Sequence, residues 1–186
     1  MYSISILIIN TLATLIGALL LLRFWMQAIH ILPPVSISQF IFKLTNWAIK
    51  PLRWLIPGLG GYDWSCLVAA YLVAMFSIGF KLLISEVFSI DAILILSILK
   101  IIHWILYGFT FLILIEVIFS WINPHAPLAP FISSLNQPLM RPIRRLIPTF
   151  GGIDLSPLIV FLILKIIVSI CDNFVRGLFP LKFFYL

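Results

Sequence analysis

The stretch Pro51 to Ser65, PLRWLIPGLGGYDWS, returns 91 residues later as Pro142 to Ser156, PIRRLIPTFGGIDLS. Proline, arginine, proline, a Gly-Gly pair, aspartate and serine keep their spacing. Any fold for this chain must therefore place one unit twice, and such a repeat outranks any local pattern as a guide to architecture. The repeat predicts two units in one membrane domain, residues 1–90 and 91–186.

What surrounds each copy settles the solvent. The chain is 63% hydrophobic and 10% charged, where soluble domains carry about a quarter charged residues. Ile4 to Leu22 holds no charged side chain and approaches the ~20 residues of a spanning helix. No basic residue precedes this run and no small-x-small site follows it, so a retained span is expected over a cleaved signal. Four spans fit the pattern, Ile4–Phe24, Trp64–Val87, Ala92–Trp121 and Leu155–Leu178. The third exceeds a span's minimum, so it must tilt or begin as an interfacial turn before Lys100. The short connection around Ser89 makes spans two and three a tight helical hairpin.

Each repeat holds a span, a long loop and a second span, which is an even number of crossings. The two copies then run in the same direction, and both motifs face the same side. Arg23, Lys43, Lys50 and Arg53 precede the first Gly-Gly pair, and Arg141, Arg144 and Arg145 precede the second. The positive-inside rule makes these loops cytoplasmic and both termini periplasmic. The net charge of +6 is accordingly read as affinity for anionic headgroups, with no nucleic-acid partner.

The loops carry helical patterning of their own. Ile37, Phe40, Ile41, Leu44, Ala48, Leu52 and Leu55 share one face, as do Phe131, Ile132, Leu135, Leu139, Ile143 and Leu146. Each is an amphipathic helix, interfacial or re-entrant. Pro51, Pro138 and Pro142 predict kinks or breaks within them. Asp63 and Asp154 stand where they would cap the following helices; the alternative, an anion held by the glycine backbones, is opposed by the aspartate charge.

Three charged residues fall inside predicted spans: Lys100, Glu116 and Lys165. Lys165 lies 11 residues after Asp154, about 15 Å along a helix. The first repeat has Ala74 in its place. A Lys165 to Glu116 pair would need a suitable offset between spans; snorkelling, a polar contact in the bundle, and a proton or ion path are the readings to weigh. Lys81, Glu86 and Lys100 cluster near the outer end of the hairpin. His30, His103 and His125 are scattered without metal-ligand spacing. No nucleophile elbow or carboxylate pair is found, so neither an enzyme nor a cofactor is expected.

The duplicated Pro-x-Arg-x-x-x-Pro-x-x-Gly-Gly-x-Asp pattern, flanked by spans over the whole chain, resembles the bacterial YggT/YlmG family. Its motif positions map onto Pro51, Arg53, Pro57, Gly60, Gly61 and Asp63, and onto Pro142, Arg144, Pro148, Gly151, Gly152 and Asp154, with Arg145 beside them. The first copy departs at Trp54, where the second has Arg145, and at Tyr62, where it has Ile153. The resemblance implies a bacterial inner-membrane protein whose relatives are linked to osmotic-stress tolerance, cell division and, in photosynthetic lineages, cytochrome assembly. It brings no agreed molecular activity. A scaffold or assembly factor holding lipid and a membrane-protein partner is expected, or alternatively an ion or solute path through the bundle or a homo-oligomer.

Overall fold

The computed structural model describes residues 2–56, 58, 60–85, 89–123, 125–146 and 154–178. The chain runs α1 (Tyr2–Ala28), α2 (Val35–Leu55), α3 (Trp64–Ile84), α4 (Ile90–Ile122), α5 (Ala129–Leu146) and α6 (Ser156–Leu178). Four of these are long and apolar enough to cross a membrane, over Ile4–Ala28, Trp64–Ile84, Ile90–Ile122 and Ser156–Gly177. The chain is an all-helical, multi-pass membrane protein. Glu86 and the expected span end at Val87 lie outside the described residues.

Local chemistry sets the helix ends. His30, at a φ of 55°, closes α1: Ile31 N–H donates to the Met26 carbonyl and His30 N–H to that of Gln27, the paired bonds of a left-handed C-terminal cap. Ser89 caps α4 by accepting from the Ala92 amide, with Asp91 in the first turn. All 33 residues of α4 form one helix, with no interfacial turn before Lys100. At about 50 Å it is longer than a bilayer core and must tilt or protrude.

The expected kinks at proline do not break the amphipathic helices. α2 continues through Pro51 and α5 through Pro138 and Pro142. Proline removes a backbone donor, but residues on both sides of each are held by packing. Ile49 and Leu52 flank Pro51, while Leu135 and Met140 flank Pro138, and Ile143 follows Pro142. Tertiary burial overrides propensity here. The predicted apolar face of α2 divides: Ile41 is buried, whereas Phe40, Leu44 and Leu55 remain exposed.

Each repeat owns a core. Ala13, Leu20, Ile49, Ala70 and Ala74 join α1, α2 and α3; Leu106, Ile113, Met140, Val160 and Leu164 join α4, α5 and α6. A third cluster, with Met26, Ile41, Phe131, Ile132 and Leu135, packs α2 and α5 at one end of the bundle. That end carries both motifs and is called the motif end; the α3–α4 connection marks the hairpin end. The copies also meet between α1 and α4, where Trp104 lies over Gly17 and its indole N–H reaches Thr14 Oγ1 at 3.2 Å. A small residue lets membrane helices approach closely.

Candidate functional site

The first motif turn depends on left-handed backbone. Gly60 has a φ of +66° and Gly61 of +82°, a region that penalises any residue with a Cβ. The turn returns Asp63 to α2, where Arg53 Nε donates to its Oδ2 at 2.9 Å and Arg53 Nη2 engages the same oxygen. Ser65 Oγ adds a bond to the Ile56 carbonyl at 3.1 Å. Asp63 therefore occupies the N-cap position without making a side-chain cap, contrary to the sequence expectation. A charge-assisted pair is stronger than a bond to a neutral amide, and Arg53 on the last turn of α2 is within reach. Burial pushes the Asp63 carboxyl up, but Arg53, Arg23 and Ser65 together outweigh it and hold the group below its ordinary value. The same hydrogen bond raises the Arg53 guanidinium.

The second copy repeats the tie and extends it. Arg144 Nε donates to Asp154 Oδ2 at 2.8 Å, and Arg144 Nη2 to Glu116 Oε1 at 3.2 Å. Glu116 Oε2 accepts from Asn136 Nδ2 at 2.8 Å, so one guanidinium links α4, α5 and the approach to α6. Asp154 also accepts from the Ser156 amide at 2.9 Å, which is the capping role expected for it. Burial raises its carboxyl, whereas Ser156 and Arg144 together bring it below the ordinary value. Pro51, Pro142 and Arg145 are exposed on the helices. Pro57, Pro148, Gly151 and Gly152 lie outside the described residues.

The copies differ most where the first helix meets the amphipathic one. Thr45 is the counterpart of Asn136, yet its partner is a cation: Arg23, only 4% exposed, donates to Thr45 Oγ1 at 2.7 Å and Asn46 Oδ1 at 2.9 Å. The counterpart of Glu116 is Trp25, whose indole N–H crosses to the Leu135 carbonyl at 3.0 Å. The first repeat presents positive charge at this junction and the second presents negative charge.

Lys165 does not meet Glu116, which is occupied by Arg144 and Asn136. It is exposed on α6, with its ammonium 5.5 Å from the Phe161 ring and 5.8 Å from Tyr107. Lys100 instead lines a cavity of about 490 Å³ among α1, α3, α4 and α6. Its Nζ donates to Asn10 Oδ1 at 2.8 Å and Ser77 Oγ at 2.5 Å. Lys81 lines the same cavity. There His103 sets Nε2 2.8 Å from Asp172 Oδ1 and Nδ1 2.8 Å from the Leu99 carbonyl. Sequence reasoning misses Asn10, Ser77 and Asp172, and sets His103 aside. The available signal is polarity within apolar runs: Asn10 interrupts the first span, and Asp172 is the one acid of α6.

A family model described as CCB3/YggT matches residues 2–84 and 95–175. An uncharacterized protein of Pseudomonas aeruginosa is 37% identical over 91% of this chain and 88% of its own length. The Escherichia coli K12 protein named YggT, also described as uncharacterized, is 37% identical over 86% of this chain and 85% of its own. An uncharacterized Haemophilus influenzae protein is 30% identical over 92% and 93%, respectively. No solved structure matches.

Proposed function

The chain belongs to the CCB3/YggT family, and from that premise we propose a non-enzymatic scaffold or assembly factor of the bacterial inner membrane. In this reading both motif loops are cytoplasmic and both termini periplasmic. Residues 1–90 and 91–186 act as two repeat units. The role serves membrane or osmotic-stress tolerance, or the organisation of envelope and division. One observation carries the proposal: two arginine–aspartate pairs tie two basic amphipathic helices to the spans that follow them, beside one shared core at the same end of the bundle. Arg141 and Arg145 are exposed on α5, as are Lys43 and Lys50 on α2. Each such base gains about 1 kcal/mol from an anionic membrane surface. Trp54, 88% exposed, adds an aromatic contact suited to a headgroup layer or an acidic membrane-protein partner.

Charge reversal at Arg141 and Arg145 tests this reading, because those side chains face outward. Arg144 is unsuitable, since it holds Asp154 and Glu116. The scaffold requires crosslinked partner capture to fall while thermal unfolding stays unchanged. Undiminished capture would discard it.

The cavity around Lys100 favours a second reading, an ion or solute path through the bundle or a homo-oligomer. Liposomes containing folded protein would then show flux altered by Lys100→Leu. Silent liposomes would remove this reading.

A further inference from the structure

The cavity towards the hairpin end is separate from both arginine–aspartate pairs. We propose that it binds the phosphate oxygens of a headgroup-sized anion, with Lys100 as the principal anchor.

Charge is the first ground. A lysine inside a spanning helix is costly unless paired or hydrated, and such residues mark binding sites and pathways. Lys100 has no ion pair among the described residues. Its two hydrogen bonds go to neutral oxygens, Asn10 Oδ1 and Ser77 Oγ. An ammonium has three donors, so one remains for a ligand. The Trp104 ring 5.4 Å away orients the group without neutralising it. Lys81 brings a second cation to the same lining, and Asp172, its one acidic member among the described residues, is held by His103.

Size and position are the second ground. About 490 Å³ is far more than the ~30 Å³ share of one water and falls within the range of small-ligand sites. A monatomic anion would leave it mostly empty. Ile6, Ile78, Leu82 and Leu96 line the remainder, suiting an apolar glycerol or acyl portion. Lys81 belongs to the last turn of α3 and Ser77 lies about 6 Å further in along the helix, so the site opens from the hairpin end of the candidate spans. A lipid phosphate and a free phosphate offer the same oxygens, so the source is read from the experiment.

The test uses the full chain in an Arg141→Gln, Arg145→Gln background, which removes the exposed bases of α5 other than the ion-paired Arg144 as a competing anion-binding surface. One arm measures phosphatidylglycerol retained by native mass spectrometry after extraction from phosphatidylglycerol–phosphatidylcholine nanodiscs. The other measures stabilisation by inorganic phosphate against chloride at matched ionic strength. Lys100→Gln removes the charge. Asn10→Asp sets a carboxylate at the oxygen 2.8 Å from Lys100 Nζ and neutralises it with the lysine retained. Both variants are expected to weaken the response about tenfold or more. Loss in the lipid arm assigns a lipid, and loss in the phosphate arm assigns a soluble phosphate; either supports the site. No response in the parent protein overturns it, as does an undiminished response in folded Asn10→Asp. The scaffold reading is unaffected by these outcomes, because the readout does not involve the motif end.

Discussion

Arg144 Nε meets Asp154 Oδ2 at 2.8 Å, linking α5 to the start of α6 in the same ten-residue register that joins Arg53 to Asp63. The repeated arginine and aspartate are thus partners within each copy, and in the first copy Gly60 and Gly61 form the bend that lets them meet. A motif that looks like a chemical signature in sequence is a mechanical fastener in the fold, fixing the angle at which each amphipathic helix leaves the bundle.

The two fasteners should differ in strength. Asp63 is 9% exposed beside a half-exposed Arg53, whereas Arg144 and Asp154 are 41% and 32% exposed. Double-mutant cycles on thermal unfolding should give a larger coupling for Arg53→Met with Asp63→Asn, about 1–2 kcal/mol after solvent screening of Arg53. Arg144→Met with Asp154→Asn should couple more weakly. Equal couplings would deny that burial sets the strength.

Acid should weaken both pairs. The folded carboxyls of Asp63 and Asp154 lie below their ordinary values, so the unfolded chain takes up protons first as pH falls. Their stabilisation is present above roughly pH 4, the ordinary carboxylate value, and is lost as pH drops through the lower folded values. Unfolding scans from pH 7 to 3 should show melting temperature falling at the acid end. The fall should be shallower in the Asp63→Asn, Asp154→Asn double variant.

Gly61→Ala isolates backbone strain, since its Cβ would meet nothing within 4 Å at a φ of +82°. The expected destabilisation is about 1–2 kcal/mol. Asparagine at that position should recover part of the loss, because it tolerates this conformation better than alanine.

Gly17→Ala tests the α1–α4 seam. A Cβ there would overlap Trp104 Cζ3, so the indole must move and its bond to Thr14 is strained or lost. Overpacking of this kind costs about 1–3 kcal/mol. Trp104→Leu should be less harmful in the Gly17→Ala background than in the parent.

The four spans and two amphipathic helices are legible in sequence because apolar runs and helical periodicity are local properties. The prolines of α2 and α5 do not break their helices, because neighbours such as Ile49 and Met140 are held by contacts distant in sequence. Asp63 reads as a cap because its helix is adjacent, while the competing Arg53 is reached only once Gly60 and Gly61 take positive φ. The Lys100 cavity is legible only in part, as Lys100 standing inside an apolar span. Asn10, Ser77 and Lys100 lie on three helices, and only packing shows that the lysine faces neutral oxygens.

The central claim is that two fastened basic helices present one docking face. In-cell photocrosslinking from the exposed positions Trp47, Trp54 and Arg145, with mass spectrometry of the adducts, tests it most directly. The scaffold predicts one protein with an acidic contact segment, captured from both repeats and lost from position 54 when Arg141 and Arg145 are reversed. Lipid or self adducts alone, from all three positions, would contradict it.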